Sequence, residues 1–153
     1  MKRLLQIINP RPSQRLLDLG LLLFRLLAGF ALLRVHGWEK IANYEEEVRS
    51  IPDPFGLGGE VNVAIAIFSD VFCGLLVMVG LFTRLASLSV LSTTLVGLLF
   101  VHINDPWHGR DVPMVYSIMF LVIMLLGPGK YSLDNALTNT LRHPLAIKNE
   151  SYS

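Results

Sequence analysis

The sequence predicts an all-α membrane protein: a bundle of four transmembrane helices with both termini in the cytoplasm. Three observations carry that prediction. About half of the residues (52%) are hydrophobic and only 16% are charged, with a mean hydropathy of +0.52. The apolar residues gather into four runs separated by polar or turn-forming segments. Lysine and arginine are divided unevenly between the two sets of connections. A soluble domain of 153 residues needs a polar coat around one core, and this composition does not supply it.

The first run spans residues 16–35 and holds Asp18, Arg25 and Arg34. It has no small-residue cleavage site, so it is expected to be a retained helix and not a removed signal. The second run, residues 61–82, has Asp70 as its only charge. The third, residues 85–103, and the fourth, residues 112–127, have none. A span needs roughly 20 mostly apolar residues, or ~17 at the short end. The fourth is slightly short and relies on Arg110 and Lys130 to snorkel. Backbone in lipid must satisfy its own hydrogen bonds, so all four runs are expected to be helices. Ser87, Ser89, Ser92, Thr93 and Thr94 in the third suit close packing and interhelical hydrogen bonds.

The connections differ in length. Phe82-Thr83-Arg84 forces an antiparallel hairpin between the second and third spans, and about eight polar residues join the third to the fourth. Residues 37–60, between the first and second, include Glu45-Glu46-Glu47 and the turn-rich stretch from Ile51 to Gly59. Residues 38–48 within it could form an amphipathic interfacial helix. Residues 1–15 and 128–153 are expected to be surface tails on a single domain covering residues 1–153. The side holding both tails has eight Lys and Arg, and the other side has four, which places the termini in the cytoplasm. There is no broad basic face to suggest nucleic acid. The one cysteine, Cys73, excludes an intramolecular disulfide and a cysteine-rich metal site.

Ionisable residues inside a span usually mark a working site. Counting from the predicted span ends places Arg25 and Asp70 at matched depth on neighbouring antiparallel helices. The expectation is an intramembrane ion pair that either anchors a ligand or fixes helix pairing. Eleven residues of helix return nearly to the same direction, so Asp18, Arg25, Gly29 and His36 should form one polar stripe. Gly74 lies one turn from Asp70 and leaves room beside it. His36 and Lys40 after the first span, His102, Trp107 and His108 after the third, and Tyr116 in the fourth are candidate ligand-binding residues at the outer rim. His102, Asp105 and His108 are suitable metal ligands by type, but Pro106 interrupts their spacing and no partner motif exists, so no metal is expected. Haem ligation by His36 and His102 has equally little support.

Arg25, the His36-Gly37-Trp38-Glu39-Lys40 segment, the run from Gly74 to Arg84 and Gly127-Pro-Gly-Lys-Tyr-Ser-Leu-Asp134 together resemble the DoxX/DoxD-like family of small bacterial membrane proteins. The likeness runs from about Leu16 to Asp134. It implies a four-helix bundle in the bacterial inner membrane and a link to redox metabolism. Some relatives are subunits of a thiosulfate:quinone oxidoreductase, and others act in oxidative stress or quinone detoxification. That family usually carries a glutamate where Asp70 stands here.

Two functional expectations follow. In the first, the protein is a quinone-interacting subunit of an oxidoreductase, with no tightly bound cofactor and quinone as substrate. Arg25 then donates to a quinone carbonyl, and Asp70 positions it or relays a proton. In the second, it is a non-catalytic scaffold that recruits redox enzymes. A small-molecule transporter is disfavoured because there is no inverted repeat or broken helix. The expected partners are the lipid bilayer, a redox subunit and a second copy of the chain.

Overall fold

The computed structural model describes residues 13–150, with side chains described for residues 13–141. Of the expected surface tails at residues 1–15 and 128–153, residues 1–12 and 151–153 lie outside the described residues. Six helices account for most of this length: α1 Gln14–Ala42, α2 Tyr44–Ser50, α3 Gly59–Val79, α4 Thr83–Val101, α5 Trp107–Leu126 and α6 Leu133–Glu150. No strand occurs among the described residues. The helices α1, α3, α4 and α5 are each long and apolar enough to cross a membrane. They form an antiparallel bundle in which α1 packs on α3, and α4 packs on α3 and α5.

The surface is apolar and part of the interior is polar. Leu27, Leu85 and Leu125 are each about two-thirds exposed, whereas Arg25, Ser69, Thr83 and Ser87 are fully buried. In water this would be the wrong way round. It is the distribution expected when lipid is the solvent and charges face the bundle interior. Small residues let the helices approach. A Cβ on Gly29 would lie 2.9 Å from the Gly74 carbonyl oxygen and collide with Met78, so α1 and α3 cross where α1 has no side chain. Between α4 and α5, Ser117 Oγ hydrogen-bonds Thr94 Oγ1 at 2.9 Å. Ser92 and Thr93 instead bond back to carbonyls of their own helix.

Several boundaries differ from those expected. The first helix continues seven residues past Val35, to Ala42, because nothing between them breaks it. Gly37 stays helical and serves close packing: a Cβ there would meet Val71 Cγ2 at 2.8 Å. The second span ends at Val79 because Gly80 turns left-handed, at φ +75°. The fourth begins at Trp107, so Arg110 lies within the helix and the span reaches 20 residues. The expected interfacial helix divides at Asn43 into the end of α1 and the separate α2. Much of the expected C-terminal tail is α6.

The tight turn between α3 and α4 is held from a distance. Phe82 adopts a left-handed conformation (φ 47°), which a bulky residue avoids. Asp134 holds it there, its Oδ1 accepting from Phe82 N at 2.8 Å. Its Oδ2 accepts from Thr83 N at 3.0 Å and Thr83 Oγ1 at 2.9 Å. It thus caps the start of α4 from the segment after α5. Its own N–H donates to the Gly80 carbonyl at 2.9 Å. Arg25 reaches the same corner: its Nη2 donates to the Tyr131 carbonyl at 2.5 Å, while its Nε and Nη1 are buried without a hydrogen-bond partner among the described residues.

Removal of this cap should be costly. Asp134→Ala leaves the Phe82 N–H and the N–H and hydroxyl of Thr83 without their acceptor, and is expected to destabilise the chain by about 2 kcal/mol or more. Thermal unfolding in detergent measures this, and Asp134→Asn should lose less.

Candidate functional site

The structure separates Arg25 from Asp70, so the predicted ion pair does not form. Arg25 lies beside Gly80, Ser132 and Tyr131, at the tight-turn end of the bundle. Asp70 lies toward the other end, its carbonyl oxygen close to Gly37. Arg25 and Gly37 are twelve residues apart along α1, about 18 Å of helix. The matched-depth estimate fails because α1 does not end at Val35, and its register against α3 is displaced accordingly.

Asp70 pairs instead with Lys40, Nζ to Oδ2 at 3.2 Å, and both side chains are largely buried. Lys40 Nζ also donates to the His36 carbonyl at 3.2 Å. This pair lies on the wall of a cavity of about 620 Å³ between the helices at the loop-rich end. His36, His102 and Tyr116 share that wall. His36 packs its ring edge-on against Tyr116 with centroids 5.2 Å apart, and its Nε2 is buried with no hydrogen-bond partner. The rest of the lining is mainly apolar, from Leu32, Ile65, Ala66, Val96, Val101 and Val112. An apolar hollow with a few convergent polar groups is the usual form of a small-molecule site.

Three of the four spanning helices depart from regular α geometry beside this cavity. Leu33–Gly37, Phe68–Cys73 and Gly97–Val101 are π-helical, with Trp38 N–H bonded to the Leu33 carbonyl and His102 N–H to the Gly97 carbonyl. The fourth helix carries Pro113 inside it. Inserted π turns concentrate at functional sites because they re-aim the side chains around them. Here they contain His36 and Asp70, and Gly97 and Val101 line the same cavity.

The segment before α3 closes one side. Ile51, Pro52, Pro54, Phe55 and Leu57 line the cavity, and Phe55 packs on Phe100 of α4 with centroids 5.3 Å apart. Asp53 ties the segment to α3. It accepts from Gly58 N at 2.9 Å, Asn62 Nδ2 at 2.9 Å and Leu57 N at 2.8 Å.

The other expected site residues lie elsewhere. Gly74 is buried against Leu32 and Gly29, where it serves the α1–α3 contact. Trp107 is 74% exposed under the Arg110 guanidinium, and His108 is exposed. Neither lines the cavity. The residues missed at the sequence level are Asp53, Phe55 and the other apolar members of the segment, which read only as a turn-rich loop.

The three donors, led by Gly58 N–H and then Asn62 and Leu57, hold the Asp53 carboxyl below the usual carboxylate range. The stabilisation is therefore present above the ordinary aspartate value of about 3.9 and is lost as pH falls through the lower folded value. Amide-exchange protection at Leu57 and Gly58 should be flat from neutral pH down to about pH 5, and should collapse only in stronger acid. Asp53→Ala should remove that protection at neutral pH.

The sequence profile of the DoxX family matches residues 20–103, more than half of the chain and three of its four spans. An uncharacterized protein of Haemophilus influenzae is 27% identical over 101 residues, covering 62% of this chain and 67% of that protein. No solved structure matches the chain. The four-helix architecture and the family profile agree: the chain belongs to the DoxX family of membrane proteins.

Proposed function

We propose that the protein is a quinone-interacting membrane subunit linked to redox or oxidative-stress metabolism. On this reading the quinone head group occupies the cavity around the Lys40–Asp70 pair. One observation carries it: a mainly apolar cavity of about 620 Å³ has a buried ion pair and the residue His36 on its wall. A quinone ring is apolar and neutral, and its oxygens accept hydrogen bonds. Lys40 has three ammonium protons, two of them directed to Asp70 and the His36 carbonyl, which leaves one for a ligand oxygen. His36 Nε2, buried without a partner, becomes a second polar contact when the ring turns toward the ligand. Several members of the lining, among them Ile65, Phe55 and Val112, are about half exposed at the bundle surface, which suits entry of a lipid-soluble ligand from the side.

The excess of Lys and Arg on the tight-turn side supports a cytoplasmic location for both termini in a bacterial inner membrane. The cavity then opens toward the opposite face. Arg25 has no part in this site. Its role is to hold the turn after α3 against the segment after α5.

Binding of ubiquinone and menaquinone analogues to the purified protein tests the proposal. His36→Phe keeps a ring against Tyr116 and removes the free nitrogen. It should weaken binding about tenfold, which corresponds to ~1.4 kcal/mol. The neutral pair Lys40→Met with Asp70→Leu should weaken it further without leaving an uncompensated buried charge. Arg25→Lys should lower thermal stability and leave affinity nearly unchanged. Absence of binding to the wild-type protein, or a loss of affinity confined to the Arg25 variant, would refute the reading.

A further inference from the structure

The cavity meets water at His102, and its chemistry there goes beyond ligand binding. The His102 ring lines the cavity, yet its side chain is 37% exposed. His102 Nδ1 lies 2.7 Å from Asp105 Oδ2. An ionised carboxylate only accepts, so Nδ1 carries the proton of this hydrogen bond. That leaves Nε2 as the acceptor of the neutral ring. The turn presenting the pair is braced from behind. Arg110 Nε donates to the Asp105 carbonyl at 2.9 Å, and Arg110 Nη2 donates to the Ile103 carbonyl. A histidine oriented by a carboxylate, on a braced turn at the boundary between an apolar cavity and water, is suited to exchanging protons.

We propose that His102, oriented by Asp105, accepts the hydroxyl proton of a phenolic ligand in the cavity and passes it to water at the loop end. The inference rests on the reading that the cavity binds a quinone or its hydroquinone. The step balances without an electron partner. The ligand O–H bond breaks and its electron pair stays on oxygen. The proton forms a bond with Nε2, giving a phenolate and an imidazolium, and the imidazolium releases that proton to water. Asp105 is a positioning residue: it fixes the tautomer and stabilises the cation without touching the ligand. The other ionisable groups on the cavity wall are His36 and Lys40 from α1, Asp70 from α3 and Tyr116 from α5. Lys40 is paired with Asp70, so what it offers a phenolate is its remaining N–H as a hydrogen-bond donor and not a net positive charge.

The test compares three probes on the full chain in detergent: a short-chain quinone, its hydroquinone and the dimethyl ether of that hydroquinone. The wild-type protein should prefer the hydroquinone over the ether by about tenfold. Its affinity for substituted hydroquinones should rise with their acidity. His102→Gln should lose both the preference and the acidity trend, and Asp105→Asn should lose part of each. Equal affinity of the wild type for hydroquinone and ether overturns the proposal, as does a His102→Gln variant that keeps the preference or the trend. In those cases intact quinone binding leaves the underlying reading standing. Failure of the wild type to bind any of the three probes removes both.

Discussion

A charge inside a bundle of apolar helices has no water to turn to, so the chain must supply its partner. That constraint organises both ends of this molecule. At the tight-turn end Arg25 is fully buried, and the Tyr131 carbonyl meets its Nη2, while Nε and Nη1 have no partner among the described residues. At the loop end Asp70 and Lys40 meet each other. The two solutions differ in kind. The first lies in a packed corner, where a Cβ on Gly80 would collide with the Arg25 guanidinium. The second lies on the wall of a cavity. One end is built to hold the helices together, and the other leaves space beside its charges.

The tight-turn end also draws together two stretches singled out in the sequence, Gly127 to Asp134 and Gly74 to Arg84. The two stretches touch. Asp134 caps α4, its backbone bonds to Gly80, and Gly127 lies against the Arg84 side chain. Arg25 is the third member. Three stretches far apart in the chain therefore meet at one corner of the fold.

Much of the architecture was legible in the sequence because lipid imposes simple requirements on length and polarity. Four apolar runs gave four spanning helices, and the resemblance named the family that the profile confirms. His36, Lys40, His102 and Tyr116, all chosen as rim residues, share one cavity wall. The Arg25–Asp70 pair failed for a definite reason. Apolar composition marks where lipid begins, whereas α1 continues past it through Trp38, Glu39 and Lys40 to Ala42. The π turns added a second error, since an inserted residue rotates everything after it by roughly 100° and leaves no composition signal. Lys40, one turn beyond His36, was expected as a rim residue; it lines the cavity and is in addition the partner of Asp70. The contacts of Asp134 with Phe82 and Thr83 cross 52 and 51 residues, and no local pattern announces them.

The central claim is that the working cavity surrounds the Lys40–Asp70 pair and that Arg25 belongs to the scaffold. Photo-crosslinking with a quinone analogue, followed by peptide mapping, tests it most directly. Saturable labelling should fall on the segment from Ile51 to Leu57 and on α4 between Ser92 and Val101, and excess unlabelled quinone should displace it. Saturable labelling concentrated instead around Arg25, Gly80 and Tyr131 would contradict the account.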